Sequence, residues 1–403
     1  MPPEQPRKIL GLPKNIFMLG LTSFFNDFSN EMIVAAFPAF FTSVLRAGAA
    51  SLGLVEGVAD GVANFLRIYS GRLSDKIQRR RVFMFAGYGL SVIVRPLYLL
   101  AGSVAAVLGL RVTDRIGKGV REAPRDVIIS ASAAPEEIGR SFGYHRAMDT
   151  AGAIVGPLAA YFILLHWPVM LGTNGFTVIF ISASVIGLFA IATIFFVTDI
   201  VGRKDANGAP VLSVAAFRVL PRGFRVYLAA IFLLSIGTLP TAVTLLKTTS
   251  IHLMIADIPL FYMIYSIAYA AFSYSAGKLS DTVGTAKVLV YGYVFLLVSY
   301  LMLGYAESAV FLGSAFAVMG VFSAATDATE RAWTGRLVPF EHRGAAYGLF
   351  QAAVGFGALV AGVAGGWLWQ AYSPAAALLG SGGLVAIGLV VLLISIPLGK
   401  RGI

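Results

Sequence analysis

The sequence has no cysteine, which excludes a disulfide framework, a catalytic thiol and a cysteine-ligated metal site. Histidine is nearly as scarce. The four histidines stand at 145, 166, 252 and 342, too scattered for a zinc site. There is no G-x-x-x-x-G-K-[ST] loop, and Gly87-Tyr88-Gly89 has no strand–helix unit around it, so neither reads as a nucleotide site. No cofactor, no metal and no enzymatic chemistry are expected. Charge is the most telling shortage. Asp, Glu, Lys and Arg make up 13% of the chain, against about 25% in soluble globular domains. A soluble protein of 403 residues needs a charged surface, and this one has no material for it.

What fills the chain instead is apolar. Hydrophobic residues reach 58%, in uncharged runs of roughly the 20 residues that cross a bilayer. The expected class is an all-α integral membrane protein with the lipid bilayer as its solvent. The formal charge of +11 would suggest nucleic acid in a soluble chain. In a membrane protein it has a plainer source, because Lys and Arg collect in the loops that stay inside, and no nucleic-acid partner is expected. The start, Met1-Pro2-Pro3-Glu4-Gln5-Pro6-Arg7-Lys8, is polar and shows no cleavage site, so it reads as a cytoplasmic tail.

Twelve spans are expected, near 16–43, 50–70, 82–101, 104–128, 142–165 and 175–198, then 225–247, 258–276, 287–306, 309–335, 344–368 and 374–398. The stretch 199–224 is the one long polar connection, which gives an N-terminal bundle 1–198, a cytoplasmic linker 199–224 and a C-terminal bundle 225–403. Cations gather after span two (Arg72, Lys76, Arg79, Arg80, Arg81) and after span six (Arg203, Lys204, Arg218, Arg222, Arg225). The opposite loops hold isolated ones such as Arg46 and Lys247. This asymmetry puts both termini in the cytoplasm. The halves also echo each other: Gly71…Asp75 answers Gly277…Asp281, and Pro135…Arg140…Tyr144 answers Pro339…Arg343…Tyr347.

The stretch Gly71-Arg72-Leu73-Ser74-Asp75 with Arg79-Arg80, between two spans, resembles the loop signature G-x-L-x-D-x-x-x-R-[RK] of the major facilitator superfamily of secondary transporters. The second copy keeps Gly277, Leu279 and Asp281 but has Thr285-Ala286 in place of the basic pair. The resemblance implies two parallel six-helix bundles with a site between them at mid-membrane, working by alternating access, as a monomer in a bacterial inner membrane. It further implies that the loop after span two meets the start of span eleven near Gly344 and Ala345. There Asp75 would favour the positive end of that helix and close the cytoplasmic side. Arg79 would complete the clamp on Asp126, and Gly277 with Asp281 would form a softer lock at the start of span five.

Charges within spans are costly and mark polar paths. Asp27 and Glu31 lie four apart on one face of span one, Glu56, Asp60 and Arg67 on span two, and Arg95 on span three. Span four holds Arg111, Asp114, Arg115, Lys118, Arg121, Glu122, Arg125 and Asp126 along one helical stripe. Span five adds His145, Arg146 and Asp149. Arg115-Ile116-Gly117-Lys118-Gly119 resembles the family's R-x-x-Q-G pattern, with Lys118 in the Gln position, and the resemblance links Arg115 to proton transfer. A buried arginine keeps its proton, so its task would be to tune a carboxylate, with Asp27, Glu31 and Asp114 as carriers. Burial favours a carboxyl group's neutral form and a nearby arginine its charged form, so loading can follow conformation. Gly143, Gly152, Gly156 and Pro157 resemble the fifth-helix pattern of family members that act as antiporters, with Ala160 and Tyr161 replacing the trailing glycine pair. Small residues there bring helices close and Pro157 bends one.

The second half offers hydroxyls and aromatics: Ser235, Thr238, Thr241 and Thr244 on span seven, Tyr262, Tyr265, Tyr269 and Tyr274 on span eight, Asp327, Glu330, Arg331 and Trp333 on span ten, Tyr347 and Gln351 on span eleven. Tyr and Trp bury apolar area while offering a hydrogen bond. The expected substrate pocket therefore combines Arg111, Lys118, Arg146 and Asp149 with Tyr265, Tyr269, Asp327, Trp333 and Gln351. Two functions fit: proton-coupled efflux of a small, partly apolar organic molecule, or uptake or exchange of an organic anion held by Arg111, Arg115, Lys118 or Arg146.

Overall fold

The computed structural model describes residues 8–77, 79–134, 137–167, 174–199, 217, 220–251, 253–339 and 342–400, the side chains of Lys8, Ile68, Ser70, residues 71–77, Gly399 and Lys400 excepted. Most of the linker, with Arg203, Lys204 and Arg218, and also Pro135 and His252, lies outside the described residues. Among the described residues, twelve long helices carry the fold. They are α1 Lys14–Ser43, α2 Ala49–Ile77, α3 Arg80–Leu97, α4 Val104–Ser132, α5 Ile138–His166 and α6 Gly175–Ile194. The second half supplies α7 Arg222–Gly237, α8 Ile258–Leu279, α9 Thr285–Gly304, α10 Ala309–Arg336, α11 Arg343–Ala371 and α12 Pro374–Lys400. The only pairing of extended chain among the described residues is a two-residue ribbon, Lys8–Ile9 with Leu12–Pro13. Ser103 and Ser308 cap α4 and α10 in the same way, each accepting the N–H of the third residue on (3.2 Å from Ala106, 3.3 Å from Phe311).

Among the described residues, eight stretches are long and apolar enough to cross a membrane, and one of them, Ile255–Gly304 at 50 residues, holds both α8 and α9. Helices α1, α2 and α4 are long enough but fall outside those stretches. The polar stripe of Asp27 and Glu31, of Glu56 and Asp60, and of Arg111 to Asp126 is the reason, since a composition test cannot tell a charge facing lipid from one facing protein. Helix α6 shows the ordinary pattern. Ile179, Ala183, Ala190 and Ile194 are buried, while Ile181, Val185, Leu188 and Phe189 are exposed on the other face, the lipid-facing stripe of a 3.6-residue period.

Two local features depart from the expected spans. The signature Gly71…Asp75 is not a loop: α2 runs on through Ile77, and Arg79, immediately before α3, has non-helical backbone angles. Span seven is not continuous, because α7 stops at Gly237 and a short helix resumes at Thr241–Leu245. Pro240 has no N–H to give and disfavours a helical Leu239 before it. The freed groups are taken up by Tyr300 of α9, which accepts from Leu239 N–H at 2.7 Å and donates to the Gly237 carbonyl at 3.2 Å. A broken helix survives in a membrane only when its backbone is satisfied in this way.

By contact the chain forms two compact units. One is Met1–Ala36 with Leu66–Ala206, the other Phe37–Phe65 with Asn207–Ile403. In the second, Gly53 and Gly57 of α2 lie directly against Gly362 of α11.

Candidate functional site

The first unit gathers its charges where α1 and α5 touch. On α1, Ser23, Asn26, Asp27, Asn30 and Glu31 share one face by helical period. Gly152 and Gly156 of α5 let that face approach. A Cβ on Gly152 would come 2.5 Å from the Phe24 carbonyl, and one on Gly156 would come 2.7 Å from the Phe28 carbonyl. No side chain fits there. At this contact the carboxyl groups of Asp27 and Asp149 lie beside each other. Ser23 Oγ donates to Asp149 Oδ1 at 2.7 Å, Asn26 Nδ2 donates to Asp27 Oδ1 at 2.8 Å, and Arg146 Nη1 reaches Asp149 Oδ2 at 3.5 Å. Glu31 accepts from Asn30 at 2.9 Å.

Around this pair the cations of α4 are matched. Arg111 lies 3.9 Å from Asp114, Lys118 lies 4.0 Å from Glu122, and Glu122 also binds Arg67 of α2 at 2.6 Å. Arg121 donates to Ser91 Oγ at 2.6 Å with its guanidinium 4.4 Å from the Tyr88 ring centre. Asp126 is held by its neighbour Arg125 at 2.9 Å. Asp114 and Arg115 are buried. A small void with room for about one water is lined by Asn30, Ser91, Arg95, Tyr98, Arg111 and Asp114. Arg95 was given no role on sequence grounds, yet it is fully enclosed and donates to Asn26 Oδ1 at 3.0 Å. It thereby touches the residue that holds Asp27. Its position two residues before the end of α3, ahead of Pro96–Leu97, gave no signal of that.

The second unit is chemically different. Tyr262, Tyr265 and Tyr269 stack along α8, with ring centres 5.7 and 6.4 Å apart. Tyr265 donates to Ser323 at 3.0 Å and Tyr269 to Asp327 at 2.8 Å, and Arg331 sits 3.5 Å from Asp327. Tyr265, Tyr269 and Asp327 thus form one group. Trp333 lies further along α10, its indole N–H without a hydrogen-bond partner among the described residues. Gln351 is half-buried on α11. Gly71 and Asp75 lie on the last turns of α2, and the Asp75 side chain lies outside the described residues. Gly277 ends α8 with no close neighbour, and Asp281 stands 3.8 Å from Arg336, both well exposed.

Comparison with known proteins gives this arrangement its family. The profile of the Major Facilitator Superfamily matches residues 19–253 and 225–402. The chain belongs to the major facilitator superfamily. An uncharacterized MFS-type transporter of Methanocaldococcus jannaschii is 33% identical over 390 residues, covering 95% of each chain. An uncharacterized protein of Mycobacterium tuberculosis is 27% identical over 326 residues, covering 79% of this chain and 78% of its own. Among solved structures, the nucleoside transporter NupG superposes with a TM-score of 0.75 at 14% identity, covering 95% of this chain and 98% of its own. A POT family transporter in complex with 5-aminolevulinic acid gives 0.78 at 13% identity, with 98% of each chain covered. The human organic anion transporter TETRAN gives 0.68 at 14% identity, covering 94% of this chain and 99% of its own. Such low identities establish the fold alone. The protein is therefore an integral membrane secondary transporter with an alternating-access fold, and not an enzyme. Its substrate is a small molecule and its surroundings are lipid.

Proposed function

We propose that this transporter is a proton-coupled antiporter that exports a small organic cation or neutral, partly apolar molecule. The observation that carries the reading is the contact between Asp27 and Asp149. Two carboxyl groups this close repel each other when both are ionised, so in this reading the pair keeps a proton at a place where two helices meet. Substrate binding that separates or recharges the pair would release it. Glu31, Asp114 and Arg115 tune the same charge balance. A cationic or neutral substrate is favoured because Arg111 and Arg146, which an anion would need, already stand beside Asp114 and Asp149.

The gate is assigned to Gly71, Asp75, Arg79 and Asp126, with Gly277 and Asp281 as the second copy. The exposed cations Arg79 and Arg222 support an orientation with both termini on the inner side of a cytoplasmic membrane. The protein is taken to work as a monomer.

A second reading, organic-anion transport, has one observation in its favour. Arg95 Nη1 is buried with no hydrogen-bond partner among the described residues. It is sealed inside the bundle, so an anion would need an opening to reach it.

Proteoliposomes loaded with an internal pH dye decide between the two. Dissipation of an imposed proton gradient by tetraphenylphosphonium or a neutral apolar amine supports antiport. A response to benzoate or other organic anions alone overturns it in favour of the second reading.

A further inference from the structure

Glu330 on α10 is a carboxyl group that the reading above does not use. Its surroundings are built from three helices. Helix α9 crosses α10 without room for a side chain at Gly292, where a Cβ would come 2.7 Å from Thr326 Cγ2 and 3.0 Å from Ala325 Cβ. The next residue, Tyr293, tilts against Phe322 with ring centres 5.3 Å apart, and its hydroxyl donates to Glu330 Oε1 at 2.6 Å. Tyr227 of α7 and Thr334 both donate to the Glu330 backbone carbonyl at 2.9 Å. The backbone and one carboxyl oxygen are thus fixed, while the second oxygen, Oε2, accepts no hydrogen bond among the described residues and is not sealed from the surface.

The charge of this group has no direct counterpart. No Lys, Arg or His among the described residues comes within 4.0 Å of it. The charged neighbours on α10, Asp327 and Arg331, are paired with each other at 3.5 Å. From the elements packed alongside come phenols and no cation: Tyr293 of α9, Tyr227 of α7, Tyr269 of α8, which donates to Asp327 at 2.8 Å, and Tyr347 of α11, which donates to the Arg331 carbonyl at 3.1 Å. An ionised carboxylate inside a helical bundle needs a compensating positive charge. Among the described residues, the group bonded to the Glu330 carboxyl is a hydroxyl and the nearby Arg331 is turned to Asp327, and its open oxygen gives the smallest cation a way in.

We propose that Glu330 is a second proton-binding site, located in the C-terminal half and separate from the Asp27–Asp149 pair. The proton arrives from water at Oε2, forming the O–H bond of the neutral acid, while Tyr293 keeps Oε1 in place. When the proton leaves, the carboxylate remains in the same geometry on the tyrosine hydroxyl. Proton binding itself stands on the geometry of α7, α9 and α10; only its use in transport rests on the antiport reading.

The test needs no substrate. Infrared difference spectra of the protein in liposomes, recorded between acid and alkaline pH, report each protonated carboxyl directly. The wild type is expected to show a titrating carboxyl band that Glu330→Gln removes and Asp27→Asn leaves in place. Tyr293→Phe, which deletes one hydroxyl, is expected to move that band and shift its midpoint by about one pH unit, the worth of one hydrogen bond to a charged group. Equal titrating intensity in the wild type and Glu330→Gln overturns the proposal. If Glu330→Gln does not fold, an unchanged band and midpoint in Tyr293→Phe overturns it instead. The absence of proton movement in wild-type vesicles would count against the antiport reading and leave the band assignment standing.

Discussion

Helices α4 and α10 are each the fourth long helix of their half in chain order, and they differ most in how their charges are met. Both begin at a serine cap and both run nearly thirty residues, 29 in α4 and 28 in α10. Yet α4 carries Arg111, Asp114, Arg115, Lys118, Arg121, Glu122, Arg125 and Asp126, whereas the matching stretch of α10 has Asp327, Glu330 and Arg331. The charges of α4 meet other charges, as in Arg67–Glu122 at 2.6 Å. The carboxylates of α10 meet tyrosines, as in Tyr269–Asp327 at 2.8 Å and Tyr293–Glu330 at 2.6 Å. Helix α4 is thus held largely by ion pairs, whereas α10 adds phenol hydrogen bonds to its Asp327–Arg331 pair. The lesson concerns adaptability: an ion pair answers a change in neighbouring charge strongly, and a phenol contact answers it weakly.

The largest expected effect comes from removing one carboxyl group of the proposed proton site in the first half. Asp149→Asn should reduce substrate-driven proton movement to that of protein-free vesicles, read with an internal pH dye. Retention of wild-type flux would take Asp149 out of the coupling site. The next effects are structural and should separate the halves. Gly156→Ala places a Cβ 2.7 Å from a backbone oxygen, so it should cost about 1–3 kcal/mol of stability and weaken coupling as well, because it pries α5 from α1. Tyr300→Phe strips the hydroxyl that serves Leu239 N–H and the Gly237 carbonyl, at a similar cost of about 1–3 kcal/mol. Thermal unfolding in detergent measures both. A drop in coupling for Tyr300→Phe as large as for Gly156→Ala would erase the distinction between the halves. The smallest effect is reserved for Asp281→Asn. Its pairing with Arg336 spans 3.8 Å between exposed side chains, and stability should change by less than about 1 kcal/mol.

Much of this was legible from residue order alone. Apolar runs located the long helices to within a few residues, apart from the C-terminal ends of α2 and α7, because burial in lipid leaves a long signal. Gly152 and Gly156 were readable as close-packing positions, since only small residues permit such contact. The helical continuation through Gly71 to Ile77 was not readable, because a polar, basic stretch fits a loop and a helix end equally well. The break at Thr238–Pro240 was missed, since the apolar run continues past Pro240, and its repair by Tyr300 was not readable either, since that tyrosine lies 61 residues further along from Leu239. Arg95 and Glu330 escaped assignment for the same reason. What distinguishes them is the partner each has or lacks across a helix interface, and spacing along one helix carries no such information.

The central claim is that the Asp27–Asp149 contact links proton and substrate. The most direct test compares two modes of transport in Asp27→Asn vesicles, with tetraphenylphosphonium as the probe: exchange without a gradient, and uptake driven by an imposed pH gradient. The account predicts that exchange persists while the gradient no longer drives accumulation. Gradient-driven accumulation equal to wild type would contradict it.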